Sequence, residues 1–395
     1  MGRLHPLREL LLALFEPFRG HVLPSARGYA HQSSSWPATE IRMNRPTVLP
    51  LGRTAWAWIK QGGKPTRASS ALRLSYAWQS FWFDRNLALQ QRLPPASPLK
   101  TDPVFILGLW RSGTTYLHDL LSACPGMLSP ATWQCMGPAV FRLHSPPAGG
   151  KSVQRPMDSF TIGALSPQED EFALLSLGVP SVYRGFFDPR RLLELTHWLN
   201  PDAWGSEQPE GWMDTWRQFL TGVTDGKLGR LVLKSPSHTF RIRALTEAFP
   251  QAAYIWIVRD PAETFFSNRK MWLAMFERYA LWNWDAAVLD EFLCGAFESA
   301  AECLVRAVGL LPKERLVVAD FGQLTDKTLD TLESINRRLL LGEWNNMQAP
   351  IRRNVTAKAD YRLDTYDGQT LSGAAIKAAE KLLSAQQFAL ASHGL

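Results

Sequence analysis

Cysteine is scarce in this chain. Cys124, Cys135, Cys294 and Cys303 are the four among 395 residues, and none stands at C-x-x-C or Cys/His ligand spacing. Neither a disulfide framework nor a zinc site is indicated, and a reducing, cytoplasmic compartment is expected. Long apolar runs are also missing. The apolar stretch at 10–15 has six residues, whereas a membrane span needs about twenty and a signal-peptide core at least about seven. It reads as a short amphipathic helix, with peripheral membrane contact as the alternative. Uniform basic runs are lacking too, although the formal net charge is +7. That balance suits anionic ligands such as nucleotides, acidic polymers or a membrane surface without choosing among them, and no nucleic-acid partner is expected. No internal repeat or low-complexity tract stands out. Hydrophobic residues at 46% and charged ones at 20% are ordinary for a globular chain, but 16 Trp is a high count. It fits either a tryptophan-rich core or an aromatic-lined surface.

What is present is an anion cradle. Gly108-Leu109-Trp110-Arg111-Ser112-Gly113-Thr114-Thr115 follows the apolar run Pro103-Val104-Phe105-Ile106-Leu107 and precedes Tyr116-Leu117-His118-Asp119-Leu120-Leu121. Strand, glycine turn and helix start in that order let backbone N–H groups and the helix dipole meet an oxyanion. The spacing G-x-x-x-x-G is that of a P-loop, yet Thr114 stands where a nucleotide triphosphatase carries its lysine. The positive charge sits inside the loop, at Arg111, which argues against ATP hydrolysis.

The length suits two average domains or one large α/β domain with additions. Residues 1–100 read as an accessory N-terminal segment, irregular over 20–70 and helical over 71–93 up to Pro94-Pro95. Residues 101–395 alternate strands and helices, with strand candidates at 104–107, 231–234, 253–258 and 316–319. The expected fold is α/β, a P-loop-like three-layer αβα arrangement around a central mostly parallel sheet, plus the helical N-terminal segment. A helical insertion is expected at about 125–230, with helices near 168–177, 190–199 and 212–223. Ligands of such sheets bind beyond the carboxyl ends of the strands.

Two more constellations fall on that edge. Leu231-Val232-Leu233 ends in Lys234-Ser235-Pro236-Ser237-His238, placing a lysine where a P-loop nucleotidase wants a metal-holding aspartate. A cation there suits a site that neutralises charge with Lys and Arg; the plainer alternative is a solvent-facing lysine. His238 is read as a cap, a substrate-orienting group or a turn residue. Tyr254-Ile255-Trp256-Ile257-Val258 ends in Arg259-Asp260-Pro261, with Ser267 eight residues beyond Arg259. Arginine at a strand end and serine two turns into the next helix can face one phosphate, while Asp260 reads as the helix N-cap with Pro261 in the first turn.

The loop R-S-G-T-T behind a strand, the strand-ending lysine and R-D-P with serine at plus eight together resemble the sulfotransferases that use 3′-phosphoadenosine 5′-phosphosulfate, and the bacterial-type branch in particular. The resemblance covers roughly residues 100–370. It implies that Arg111, Ser112, Gly113, Thr114 and Thr115 hold the 5′ end of the donor and that Arg259 and Ser267 hold its 3′-phosphate, with no metal. It also implies a segment near 352–363 closing over the nucleotide, so Lys358 and Arg362 are candidate contacts; a solvated basic loop is the plainer reading. Lys234 would stabilise charge on the leaving nucleotide's bridging oxygen, with Arg111 assisting at the sulfonate.

An acceptor attacking sulfur needs a base. Ser166-Pro167-Gln168-Glu169-Asp170-Glu171 offers three adjacent carboxylates. Ser166 and Glu169 have capping-box spacing, which reads Glu169 as a cap and leaves Asp170 and Glu171, pointing about 100° apart on a helix. The resemblance places an acid at Glu171, with Asp170 second. Gln134, about where some sulfotransferases carry a glutamate, cannot act as a base. The acceptor class expected is a lipid, polyketide or other small molecule bearing a hydroxyl or amine. The tryptophan-rich stretches 56–60 and 76–83 either line its pocket or pack the accessory segment. Two other readings stay open: a P-loop kinase, and a non-catalytic nucleotide-binding relative.

Overall fold

Strands apolar at nearly every position are stable only in a sheet covered on both faces. That sheet is the centre of the computed structural model, which describes residues 51–60, 67–148, 152–155, 157–158, 160–200, 211–358, 364–366 and 368–395. In chain order the elements are α1 (Arg53–Lys60), α2 (Arg67–Gln90), β1 (Val104–Leu107), α3 (Thr114–Ser122), β2 (Met127–Leu128), α4 (Thr132–Met136), β3 (Val153–Gln154), β4 (Thr161–Ile162), α5 (Glu171–Leu177) and α6 (Trp212–Thr224). They continue with β5 (Arg230–Lys234), α7 (Ile242–Ala248), β6 (Ala253–Val258), α8 (Pro261–Tyr279), α9 (Ala286–Leu310), β7 (Leu316–Asp320), α10 (Phe321–Asp326), α11 (Thr328–Leu339), α12 (Trp344–Ala357) and α13 (Gly373–His393).

The sheet runs β2-β5-β1-β6-β7, with every pair parallel. β1 is central, Ile106 opposite Lys234 on one side and Leu107 opposite Trp256 on the other. The loops after β1, β5 and β6 therefore emerge side by side on one carboxyl edge. The fold class is the expected α/β one, and the four strand candidates are strands. β2, only two residues long, is too short to leave a pattern. The insertion is not purely helical: it holds β2 and the antiparallel hairpin β3–β4, and Pro189–Leu199 winds as a 3₁₀ helix.

Strand alternation divides the core. Val104 and Ile106 pack with Leu117, Leu120 and Leu121 of α3, Ile335 of α11 and Ile351 of α12. On the opposite face Phe105 stacks on Tyr254 at 5.5 Å and meets Trp216 at 6.0 Å. Trp212, Trp216 and Trp272 are wholly buried, so much of the tryptophan excess is core. Fully burying a side chain such as Phe105 contributes about 3 kcal/mol.

Leu49–Leu395 form one compact unit. The stretch carrying α1 and α2 is tied to the insertion by a set of hydrogen bonds: Gly52 N–H donates to Ser176 O (2.8 Å), and Gln90 donates to Pro138 O (2.8 Å) while accepting from Arg142 N–H (2.9 Å). The apolar run at 10–15 lies outside the described residues. No described helix is long and apolar enough to cross a membrane.

Behind the anion cradle, α3 carries His118, buried with Nε2 3.2 Å from Ser129 Oγ and 3.3 Å from Val232 O. Burial, aided by the charge of Lys234, pushes its pKa down to about 3. The folded state holds this imidazole neutral where the unfolded chain protonates it, so stability falls as pH drops below about 6.5. Between pH 7 and pH 5 the linkage removes about 2 kcal/mol. A His118→Gln variant is expected to show a flatter pH dependence of unfolding free energy over that window; an unchanged slope in denaturant titrations would refute the assignment.

Candidate active site

The loop after β1 is built on unusual backbone. Gly108, Arg111 and Gly113 have φ of 141°, 67° and 99°. A Cβ on Gly108 would meet Ser112 Oγ at 2.7 Å and Ile257 O at 2.8 Å, and one on Gly113 would run into the Phe321 ring. Arg111 has no glycine's licence, and a left-handed conformation costs an ordinary residue about 1–2 kcal/mol. Its surroundings hold it there. Its Nε donates to Ser267 Oγ (3.1 Å), its carbonyl accepts from Arg259 Nη1 (3.1 Å), and the preceding Trp110 carbonyl accepts from Asn268 Nδ2 (2.6 Å). Thr239 Oγ1 accepts from Gly108 N–H and donates to Gly108 O, both at 2.9 Å, locking the loop to the turn after β5. α3 starts at Thr114 and Thr115 behind Gly113, with no side-chain cap, so its dipole and N–H groups face the cradle.

The β6 loop brings the second cation. Asp260 caps α8 by accepting from Glu263 N–H (2.8 Å), with Pro261 at the first helical position. Ser267, two turns on, is buried against Arg111. Arg259 forks onto Glu263 at 2.8 and 3.2 Å and lies over the Phe321 ring at 5.1 Å. Arg111, Ser112, Gly113, Arg259 and Ser267 thus share one corner of the edge. Phe321, which floors it, was not singled out from sequence; its only signal is its place directly after β7.

The carboxylates fall differently from the sequence expectation. α5 begins at Glu171 with Asp170 as the residue before it, so Glu169 precedes the helix. Ser166 Oγ accepts from Gly163 N–H instead of closing a capping box. Three successive carboxylates meet three side chains at and just beyond the end of β5, one each: Glu169 with Lys234, Asp170 with His238, Glu171 with Arg241. Glu171 makes a bidentate pair with Arg241 at 2.6 and 3.0 Å and has no exposed surface. Asp170 accepts from Trp216 Nε1 (2.6 Å) and lies 3.0 Å from His238 Nε2, again fully buried. Neither side chain is solvated, and neither reaches the cradle. Glu169 keeps 13% of its surface open and joins Lys234 through Oε1 and the Tyr183 hydroxyl through Oε2. Tyr183 in turn accepts from Trp110 Nε1 (3.0 Å) in the loop. Lys, His and Arg at 234, 238 and 241 opposite an acidic triplet are the signal that could have revealed this.

Electrostatics follow burial. Lys234 is pushed below the ordinary lysine range by burial, opposed by Glu169 and reinforced by the nearby charge of Arg155. Burial pushes Asp170 up, but His238, Trp216 and Arg241 outweigh it and hold the carboxyl below its usual range. Tyr183 is raised by burial and by Glu169, so its hydroxyl stays protonated. His238, between Asp170 and the Phe105 ring, has a structural setting with no exposed surface. Lys358 ends α12 and pairs with Asp119 of α3 at 2.5 Å; Arg362 lies outside the described residues. Among the described residues no group of three or more His, Cys, Asp or Glu converges as a metal site.

Known proteins resemble this chain in sequence and in fold. The model of the Sulfotransferase family matches residues 103–345. Omega-hydroxy-beta-dihydromenaquinone-9 sulfotransferase Stf3 of Mycobacterium bovis is 28% identical over 293 residues, covering 73% of this chain and 74% of that protein, and the Mycobacterium tuberculosis protein of the same name matches to the same extent. Sulfotransferase STF9 from Mycobacterium avium superposes with a TM-score of 0.55 at 19% identity, over 84% of this chain and 86% of that one. STF1 from Mycobacterium tuberculosis gives 0.53 at 19% identity, over 84% and 90%; both likenesses concern the fold. The family match begins just before β1 and takes in every loop on the carboxyl edge, and the chain accordingly belongs to the sulfotransferase family, as an enzyme of sulfuryl transfer.

Proposed function

We propose that this sulfotransferase takes its sulfuryl group from 3′-phosphoadenosine 5′-phosphosulfate and passes it to a hydroxyl of a lipid-like acceptor, with Glu169 as the base. The observation that carries the base is the exposure gradient along the acidic triplet: Asp170 and Glu171 are sealed against partners, and Glu169 alone of the three keeps access beside the cradle. This replaces the expectation of Glu171. The mycobacterial relatives named for an omega-hydroxylated dihydromenaquinone support an apolar hydroxylated acceptor over an amine.

The donor supplies an activated sulfonate on a good leaving phosphate. Arg111, Ser112 and the N–H groups of Thr114 and Thr115 are placed to bind its 5′ end, and Arg259 with Ser267 its 3′-phosphate. Lys234 rests on Glu169. Drawn to the bridging oxygen, its ammonium would stabilise the leaving charge and leave Oε1 of Glu169 open to accept the acceptor's proton. Tyr183 holds the other oxygen and so fixes the carboxylate plane. The reading needs no metal, because the cations of the chain meet the donor's charge.

Two sets of variants test it. Glu169→Gln is expected to lower kcat by about 10²–10⁴ in transfer of labelled sulfate to a hydroxylated isoprenoid quinone, with 3′,5′-ADP affinity retained. Glu171→Gln is expected to act on stability, since breaking a buried ion pair costs about 3–5 kcal/mol; a melt like wild type with lost turnover would return the base to Glu171. Lys234→Ala should cut kcat by about 10²–10³, whereas Arg259→Ala should chiefly raise the donor KM. Wild-type donor KM in the arginine variant would sink the 3′-phosphate assignment.

A further inference from the structure

A carboxylate occupies the anion side of the loop arginine. Asp158 lies in the turn of the β3–β4 hairpin, and its Oδ2 accepts from Arg111 Nη1 (2.6 Å) and from Arg155 Nη2. Its Oδ1 accepts from Arg155 Nε (3.0 Å) and Phe160 N–H (3.1 Å). The Asp158 side chain is 4% exposed and those of Arg155 and Arg111 about as shielded, 15% and 14%. Two guanidiniums converging on one oxygen, one of them as a fork, is the geometry that binds a phosphate or sulfonate. Burial pushes the Asp158 carboxyl up, but Arg155 and Arg111 outweigh it and keep it ionised. Arg155 also lies close enough to Lys234 for its charge to help lower that lysine. Three cations, Arg111, Arg155 and Lys234, therefore surround one region, with Asp158 and Glu169 as the carboxylates among them.

We propose that Arg155 is a donor-binding residue and that Asp158 is an internal stand-in for the donor's anionic group, holding Arg111 and Arg155 until the nucleotide displaces it. This rests on the donor reading above and adds a residue and a gate to it. The hairpin that carries Asp158 pairs Val153 with Ile162 and Gln154 with Thr161, and its Phe160 ring lies against the cations of Arg155 at 4.8 Å and Lys358 at 5.6 Å. Displacing Asp158 from Arg111 and Arg155 exchanges one oxyanion for another on the same guanidiniums. A closed form favoured about ten to one weakens apparent donor affinity about tenfold.

Calorimetric titration with 3′,5′-ADP and donor KM measurements decide the matter. Asp158→Asn is nearly isosteric and should tighten nucleotide binding and lower the donor KM by about tenfold, with the acceptor KM unchanged. Were Asp158 only a brace for the hairpin, the same change would weaken binding, and equal or weaker affinity overturns the gate. Arg155→Gln should raise the donor KM about tenfold, and Arg155→Lys should recover part of the loss. Wild-type donor KM in Arg155→Gln overturns the binding role, including where Asp158→Asn does not fold. Absence of 3′,5′-ADP binding by the wild-type enzyme would instead bring down the donor reading itself.

Discussion

Three carboxylates, each with its own partner side chain, hold the insertion to the sheet. Glu169, Asp170 and Glu171 reach across to Lys234, His238 and Arg241, about 65 to 70 residues later in the chain. A buried carboxylate without a partner costs several kcal/mol, so none of the three is replaceable alone, and the register of α5 against the β5 loop is set by all of them together. Trp216 donates to Asp170 and Arg241 lies over the Trp212 ring at 4.8 Å, which ties α6 into the same block. The pairs are graded. The inner two are sealed, while the outermost one opens beside the loop after β1. Rigidity behind and access in front are what a proton-transferring carboxylate and a mobile lysine both require.

The cradle depends on that block as well. Thr239, between His238 and Arg241, is the residue that clamps Gly108, so the left-handed turn of the loop and the buried ion pairs share one short segment. The strain at Arg111 is offset by contacts from Ser267 and Arg259. Both come from the β6 loop and α8, and the helix cap at Asp260 fixes their spacing. Loops after three neighbouring strands thus hold one another, which is a consequence of β1 lying between β5 and β6.

Much of this was legible in the sequence because it is local. The glycine loop, the strand-ending Lys234 and the Arg259–Ser267 spacing each depend on a few consecutive residues and on the short-range rules of strands, turns and helix starts. The cap at Asp260 was legible for the same reason. The partners of the three carboxylates were not. Capping-box spacing made Glu169 look spent, but the helix starts two residues later, and what distinguishes Glu169 from Glu171 is which cation lies opposite, a contact made across the fold. The hairpin β3–β4 was missed because two-residue strands carry no periodicity, and Phe321 because an aromatic after a strand is unremarkable until Gly113 is seen packed against it.

A single electrostatic device recurs at the edge. Arg111 rests on Asp158, Lys234 on Glu169 and Arg259 on Glu263, so each of the three cations proposed to meet the donor is held by a carboxylate. Unpaired, these charges would repel one another across a small region and destabilise the sheet edge. Paired, they stay where, in the proposed reading, the donor's 3′-phosphate and 5′-phosphosulfate would bind, and binding would be an exchange of one oxyanion for another. Such an exchange would move long side chains and leave the backbone cradle in place. It also makes affinity a difference between two sets of ion pairs, which the carboxylates tune. Glu169 differs from the other two: in the proposed mechanism, releasing Lys234 is the same event that opens its oxygen to a proton, so that arrival of the donor would arm the base.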